Sequence, residues 1–238
     1  MNSLRLEKVV KTLAENGYTY NISISGPVAS GKSTLCNTIN SLANDLANFN
    51  YYPEWISYSD LCGTLLKMSK LKEIGRLTLQ SFILDVWVNV LREKPLSNFN
   101  LFDRSISECS MCYCGDLSVQ ERNVLRTIEH DIAFRYNLPS DCTDFYFTIS
   151  KKDSTEDILN EVLSAIENDV AYMVRSKTRH FNRIFGMKIQ PPEVLVQRIC
   201  QRNRSGEEDL KLKQMEDQVN TFKLAYSTFN NASILMLE

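Results

Sequence analysis

The sequence predicts an α/β fold in which a parallel five-stranded sheet is flanked by helices. Short apolar runs alternate with longer segments of helical periodicity along the 238 residues, and this alternation is typical of a parallel sheet covered by helices. A glycine-containing turn joins the first apolar run, residues 20–25, to a helical segment, as in doubly wound α/β folds. Because 43% of the residues are hydrophobic, the chain can build a sizeable core, and we expect a single domain over residues 1–238.

The individual elements follow from the spacing of the apolar residues. Charged and apolar side chains recur at helical spacing in residues 1–20, which predicts an amphipathic helix and does not match the apolar centre of a signal peptide. After the strand at 20–25, further strands are predicted at 49–52, 99–102, 144–149 and 233–237, and further helices at 61–91, 117–136 and 157–173.

The turn after the first strand completes the Walker A pattern. It comprises Gly26, Pro27, Val28, Ala29, Ser30, Gly31, Lys32, Ser33 and Thr34. A strand that turns through glycines into a helix directs backbone N–H groups at one point, where the helix dipole also favours negative charge. Lys32 is expected to reach the β- and γ-phosphates of a nucleotide, and the Ser33 hydroxyl to ligate Mg²⁺.

Charge and cysteine content narrow the possible partners. With 27 basic and 29 acidic residues the net charge is −2, which provides no field for polymeric nucleic acid or an anionic membrane surface. No apolar stretch approaches the length of a membrane span. Seven cysteines, an odd number in a chain of this size, favour reduced thiols and a cytoplasmic location.

Polar residues follow two of the predicted strands. Glu54 lies just past the second strand, and Asp103 and Arg104 follow the third. The carboxyl ends of parallel strands share one edge of the sheet, so these side chains are expected beside the phosphate loop. There, a carboxylate could accept a hydroxyl proton and be kept ionised by an arginine. A surface glutamate and an ordinary Asp-Arg ion pair are the simpler readings of the same residues.

Together, the Walker A loop, Pro53-Glu54-Trp55, residues 79–82, Asp103-Arg104-Ser105 and the arginine-rich segment 198–208 resemble the deoxynucleoside kinase family. The order and rough spacing of these motifs hold over most of the chain, although each motif beyond the first is weak alone. The resemblance implies a P-loop kinase fold, ATP and Mg²⁺ as cofactors, and phosphorylation of the 5′-hydroxyl of a small-molecule deoxynucleoside for nucleotide salvage and DNA synthesis. It also implies a homodimer formed through helices that flank the sheet.

The resemblance assigns roles to the phosphate-transfer residues. Glu54 corresponds to the base, Asp103 to a residue that holds Mg²⁺ through water, and Arg104 to the residue that binds the 5′ end of the acceptor. An arginine-rich lid over about residues 198–210 brings Arg198, Arg202 and Arg204 to the phosphates. Glu207 corresponds to the lid glutamate that binds the sugar 3′-hydroxyl, although the extra Gly206 makes Glu208 a substitute.

The resemblance also places a nucleoside cavity beside the loop. Gln80 is expected to pair with the base through its amide, and Tyr113 corresponds to an aromatic residue that stacks on the base. The other residues expected to line the cavity are Trp55, Tyr58, Ile83 and Trp87. Because Trp87 is bulky for its place, a weak preference for pyrimidines is expected. For any one of these aromatic residues taken alone, core packing is the favoured interpretation.

Two departures from the family pattern stand out. Ser69 occurs where relatives place a tyrosine that helps to hold the 3′-hydroxyl, which leaves discrimination between ribose and deoxyribose open. Relatives pass almost directly from the fourth strand to the lid helix, so residues 151–190 are interpreted as a helical insertion, either a surface excursion or a partner-binding element.

Alternative functions have some support in the sequence. A nucleoside monophosphate kinase of the thymidylate kinase type shares the loop, the Asp-Arg pair and an arginine-rich lid, but a carboxylate at Glu54 would repel an acceptor phosphate. A switch GTPase is suggested by Asp60-x-x-Gly63 and by residues 150–153, which imitate a guanine-reading motif. Cys109, Cys112 and Cys114 have a metal-like spacing, but no second cysteine pair or nearby histidine completes a zinc site.

Overall fold

The computed structural model describes residues 2–140, 146–148, 154–202 and 211–235. The strands are β1 (Thr19–Ser25), β2 (Phe49–Tyr52), β3 (Phe99–Asp103), β4 (Tyr146–Thr148) and β5 (His180–Gly186). The helices are α1 (Asn2–Asn16), α2 (Lys32–Leu42), α3 (Asp60–Lys70), α4 (Arg76–Glu93), α5 (Glu108–Met111), α6 (Val119–Tyr136), α7 (Thr155–Ser176), α8 (Pro192–Arg202) and α9 (Leu212–Leu235). A 3₁₀ turn, Trp55–Ser57, follows β2.

The strands form one parallel sheet in the order β2-β3-β1-β5-β4. Four of them have four to seven residues, and the edge strand β4 has three. The predicted α/β class, a parallel sheet flanked by helices, is therefore confirmed. The strands at 49–52 and 99–102 are confirmed as well, because β2 and β3 cover them.

The predicted strand at 233–237 is wrong as far as the structure describes it, because α9 continues to Leu235. Short apolar runs do not distinguish a strand from the end of a helix. The sequence analysis also missed β5, which pairs with the central strand β1 over its whole length. The strand was missed because Asn182 and Arg183 interrupt its apolar pattern. Their hydrogen-bond and ion-pair partners are distant in sequence and come close only in the folded chain.

The position of β5 corrects the interpretation of residues 151–190 as an insertion. In the described part of this segment, α7 connects the edge strand to β5, which lies inside the sheet. α8 then begins at Pro192, six residues after β5 ends at Gly186. The strand that precedes the lid helix is thus β5, and α7 is the crossover helix of a βαβ unit.

The helical segment predicted at 61–91 is two helices. α3 ends at Lys70, Lys72 adopts a positive φ of 61°, and α4 begins after Gly75. Asp60 and Gly63, the residues that suggested a switch GTPase, lie within α3 and not at the end of a strand. The matching residues 150–153 fall outside the described residues.

Two apolar cores cover the two faces of the sheet. On one face α1, α2 and α7 pack against β1, β3 and β5, and on the other α3, α4 and α6 pack against β2 and β3. A row of buried amides crosses the second face: Asn100 Nδ2 donates to Asn21 Oδ1 at 2.8 Å, and Asn21 Nδ2 donates to Asn182 Oδ1 at 2.9 Å. Each link joins residues directly paired in the strand register.

Among the described residues, no helix combines the length and apolar character needed to cross a membrane. The described cysteines, at positions 36, 62, 109, 112, 114 and 200, are free thiols.

Candidate active site

The phosphate loop connects the end of β1 to the start of α2, as the Walker A pattern predicts. Gly26 and Gly31 have φ angles of 156° and 97°, which the backbone of a residue with a side chain rarely adopts. A Cβ atom on Gly26 would lie 2.9 Å from both Met187 Cβ and Ser30 Oγ. Met187 is fixed there because its N–H donates to the Ser25 carbonyl at 2.8 Å. The tight passage between β1 and the residue after β5 therefore requires glycine at position 26.

Lys32 is buried at the centre of the loop, where its Nζ donates to the Pro27 carbonyl at 2.9 Å. Burial, followed by the nearby Arg104 cation, lowers the pKa of Lys32 to about 8, while Asp103 and Glu54 act in the opposite direction. An anionic group bound in the loop would favour the charged form of this lysine.

An open cleft with about 1120 Å³ of empty space lies over the loop. Its walls include residues 29–35, Met187, the start of α7 and two arginines of α8, Arg198 and Arg202. Arg198 Nη1 donates to the Ala29 carbonyl at 3.3 Å. Apolar contacts of α8 with α9 and Val28 hold the helix beside the loop. The structure thus brings two predicted lid arginines to the phosphate loop, while Arg204 and Glu207 lie outside the described residues.

The residues predicted to hold Mg²⁺ meet at the side of this cleft. Asp103 is 1% exposed, and its Oδ1 atom has no hydrogen-bond partner among the described residues. Burial raises the pKa of Asp103, while Lys32 and a hydrogen bond from Ser33 lower it. Mg²⁺ commonly binds one or two carboxylates and keeps several waters. An unpartnered carboxylate oxygen beside a hydroxyl and the phosphate loop fits such an ion.

Glu54 and Arg104 form a buried ion pair next to the loop. Arg104 Nε donates to Glu54 Oε1 at 2.6 Å, and both side chains are at most 10% exposed. Arg104 Nη1 also lies 3.4 Å from the Gly26 carbonyl, which joins the pair to the phosphate loop. The predicted proximity of these residues is therefore observed, and the reading of Glu54 as a surface residue is excluded.

A second cavity opens on the other side of this ion pair. Aromatic and apolar side chains with a few polar groups line it, as is typical of small-molecule sites. Five predicted residues line it together with Glu54, Arg104 and Val28, namely Trp55, Gln80, Ile83, Trp87 and Tyr113. Gln80 is 2% exposed, and its Oε1 atom has no partner among the described residues. A buried acceptor without a protein partner is costly, and it is available to a ligand.

The structure places two aromatic residues, Tyr58 and Tyr113, differently from what the sequence predicts. Tyr58 is 38% exposed and does not line the cavity, because the 3₁₀ turn after Glu54 directs Trp55 and Ile56 inward instead. Tyr113 does line the cavity, but its hydroxyl accepts a hydrogen bond from Arg104, and its ring meets the edge of Phe222. Ser69, noted for the missing tyrosine, is buried in α3 and does not line the cavity either, whereas Leu66 of the same helix does.

Sequence reasoning missed several lining residues: Ile56, Leu66, Arg76, Leu79, Ser105, Glu108 and Cys109. Helical spacing could have identified one of them, because Arg76 precedes Gln80 by one turn of α4. Glu108 follows Arg104 by four residues, but Arg104 lies in the turn before α5 and not in the helix. Glu108 forms a second ion pair with Arg104, from Nη1 to Oε2 at 2.7 Å.

The order of the strands, the phosphate loop and the arginine-bearing helix over it define a P-loop fold of the nucleoside kinase type. A solved structure with this fold is that of deoxyadenosine kinase from M. mycoides with bound dATP, which superposes with a TM-score of 0.54 over 87% of this chain and 84% of that chain. The two sequences are 15% identical, so the likeness shows the fold. No protein-family model and no curated protein matches the sequence.

Proposed function

We propose that this protein is an ATP-dependent deoxynucleoside kinase that phosphorylates the 5′-hydroxyl of its substrate for nucleotide salvage. One observation carries the proposal: the buried Glu54–Arg104 pair lies between the phosphate loop and a cavity lined by the amide of Gln80 and by two tryptophans. Phosphoryl transfer to an alcohol requires a proton acceptor at this junction and cations on the donor side. The fold shared with a deoxyadenosine kinase supports the same reading.

In the proposed reaction, Glu54 accepts the proton of the 5′-hydroxyl while Arg104 keeps the carboxylate ionised and orients the hydroxyl. Lys32 and the loop N–H groups hold the donor phosphates. Arg198 and Arg202 neutralise negative charge as the phosphoryl group moves. Ser33 and Asp103 would hold Mg²⁺, which supplies charge neutralisation between the donor phosphates when it is bound.

Base recognition is assigned to Gln80, with Trp55, Ile83 and Trp87 forming the apolar walls. The buried Oε1 atom of Gln80 requires a donor, and an N–H group of the base edge supplies one. The bulk of Trp87 narrows the cavity and favours pyrimidines over purines. The lid residues Arg204 and Glu207 keep the roles in phosphate and sugar binding that the family resemblance implies.

A monophosphate acceptor fits this cavity less well than a nucleoside. Both Glu54 and Glu108 are buried in its wall, and Arg104 is already paired to both carboxylates. The phosphate of a monophosphate acceptor would lie beside two carboxylates that share a single cation, Arg104. Electrostatic repulsion therefore disfavours its binding. This argues against activity of the thymidylate kinase type.

The remaining parts of the proposal concern the setting of the enzyme. We propose a homodimer because the family resemblance implies one, and a reducing, cytoplasmic compartment, with which the free thiols of the described cysteines are consistent. Light scattering tests the dimer, and a monomer mass would contradict it.

The decisive test incubates the purified protein with Mg-ATP and each labelled deoxynucleoside and separates the monophosphate products. Conversion of deoxynucleosides, with ribonucleosides and dTMP as competing acceptors, is the expected result. Lys32→Met should abolish phosphorylation, because the substitution keeps a side chain of similar length but removes its charge. The control Lys67→Met, on the exposed face of α3, should keep the activity. Phosphorylation of dTMP alone, or hydrolysis of GTP without nucleoside transfer, would refute the proposal.

A further inference from the structure

The proposed reaction leaves one buried acid of the cavity without a role. Glu108 is 4% exposed and lies at the start of α5, where it lines the same cavity as Glu54 and Gln80. A buried carboxylate is costly unless it is paired and hydrogen-bonded. Glu108 meets both conditions, because its Oε2 atom accepts from Arg104 Nη1 at 2.7 Å and its Oε1 atom lies 3.4 Å from the Ser105 N–H.

The two carboxylates hold different nitrogens of Arg104. Glu54 takes Nε at 2.6 Å, and Glu108 takes Nη1 at 2.7 Å. Nη1 additionally donates to the Tyr113 hydroxyl. The third nitrogen, Nη2, makes no hydrogen bond to any residue that the structure describes, and Arg104 lines the nucleoside cavity. The planar guanidinium is therefore fixed on two sides, which leaves one donor group for a ligand.

The backbone of Arg104 also requires such support. Its φ angle is 99°, and a non-glycine residue in a sparsely populated region is strained unless the surrounding contacts hold it there. Glu108, the first residue of α5, forms an ion pair with the side chain of this strained residue. Without this ion pair, the long side chain of Arg104 would be free to populate many rotamers.

We infer that Glu108 is a positioning residue for Arg104, and through Arg104 for the nucleoside 5′-hydroxyl. It holds Nη1 so that Nη2 faces the acceptor and so that Glu54 keeps its place. This inference rests on the proposed nucleoside kinase function. It assigns a second carboxylate to the acceptor side of the site, acting through the arginine and not on the substrate itself.

The test compares Glu108→Gln with Glu129→Gln. Glu129 is a matched control because it is also buried and also binds the α5 segment, through the N–H of Ser110 at 2.7 Å and its hydroxyl, but it does not contact Arg104. Loss of a charge-assisted hydrogen bond predicts that Glu108→Gln raises the nucleoside KM and lowers kcat/KM about 10- to 100-fold. The KM for ATP should stay within about twofold of wild type, since cations on the donor side are unchanged.

A purely structural role would give a different pattern. Partial unfolding lowers the active fraction and hence the apparent kcat, but it leaves both KM values unchanged. Glu108→Asp, which retains the charge on a shorter side chain, should recover part of the loss in nucleoside KM. Equal nucleoside KM values for Glu108→Gln, Glu129→Gln and wild type would overturn the inference.

Tryptophan fluorescence separates this inference from the proposed function. The sequence has two tryptophans, Trp55 and Trp87, and both line the cavity, so emission reports on nucleoside binding without turnover. The wild type should show a saturable change with deoxynucleoside, and Glu108→Gln should need about 10-fold more ligand. A wild type that neither responds nor phosphorylates nucleosides refutes the proposed function and this inference together. A responding, active wild type with an unaltered Glu108→Gln variant refutes this inference alone.

Discussion

Replacing Glu54 by glutamine tests the proposed chemistry most directly. The substitution keeps the shape of the side chain and its hydrogen-bond acceptor but removes the ability to take a proton at neutral pH. General-base catalysis contributes about 10²- to 10⁴-fold, so kcat should fall by that factor, equivalent to about 3–5 kcal/mol in the barrier. ATP affinity should be retained, because Glu54 does not line the cleft over the phosphate loop.

The structure also sets the cost in stability. Removal of one partner from a buried ion pair commonly costs about 3–5 kcal/mol because the other charge is left uncompensated. Arg104 would remain paired to Glu108, so a smaller loss of about 1–2 kcal/mol is expected for Glu54→Gln. For a protein of this size that loss lowers Tm by about 2–8 °C. The variant is therefore expected to be folded at assay temperature and catalytically impaired.

Steady-state assays with saturating ATP and nucleoside, together with a thermal melt, give both quantities. Glu93→Gln, on the exposed end of α4, removes an equal charge far from catalysis and should match the wild type. If Glu54→Gln turned over within about threefold of wild type, far above the loss expected for a base, Glu54 would not be the proton acceptor. A variant that was inactive only because it had unfolded would show no melting transition.

Four further outcomes are expected. Gln80→Leu should lower nucleoside kcat/KM about 10- to 100-fold and make the rates with different bases more similar; unchanged base selectivity in a competition assay would contradict its role. Trp87→Leu should widen the cavity and raise purine use relative to pyrimidine use, and an unchanged ratio in the same assay would argue against the steric account. Burial raises the pKa of the Cys109 thiol well above its usual value, so little of the reactive thiolate forms at pH 8. Alkylation followed by mass spectrometry should therefore show that Cys109 reacts more slowly than the exposed Cys200; equal alkylation rates would contradict this. Asn21→Leu removes hydrogen bonds to Asn182 Oδ1, Asn100 Nδ2 and the Asn137 carbonyl. Asn100 Nδ2 keeps the Ser97 carbonyl as an acceptor, so the loss of the other two bonds should cost about 3 kcal/mol in urea unfolding, whereas a loss below about 1 kcal/mol would show that the row is dispensable.

The parts of the site that the sequence predicts are those whose geometry is local or follows from strand ends. The Walker A loop is a continuous segment, so its pattern contains the glycines that the turn requires. Glu54 and Arg104 are 50 residues apart in sequence, but both follow parallel strands, whose carboxyl ends meet at one edge of the sheet. That rule alone brings them together.

The missed parts depend on partners that only the folded chain supplies. β5 contains Asn182 and Arg183, which read as polar surface, yet Asn182 joins the amide row and Arg183 pairs with Asp169 of α7. Glu108 reads as an ordinary acidic residue in the first turn of a helix. Its burial against Arg104 results from the short, strained connection between β3 and α5. No local sequence pattern predicts the conformation of this connection.

The amide row and the acceptor site are linked through strand register. Asn21 pairs with Asn100, and three residues further along the same strands Ile24 pairs with Asp103. Arg104 N–H then donates to the Ile24 carbonyl at 3.1 Å, which sets Arg104 beside Gly26. A slip of one residue would separate the two asparagines, turn every side chain of the strand to the other face, and move Arg104 by about 3.3 Å. That displacement exceeds the 2.6 Å length of its bond to Glu54. The buried asparagines therefore specify the register on which the contacts of Arg104 with Glu54 and with the phosphate loop depend.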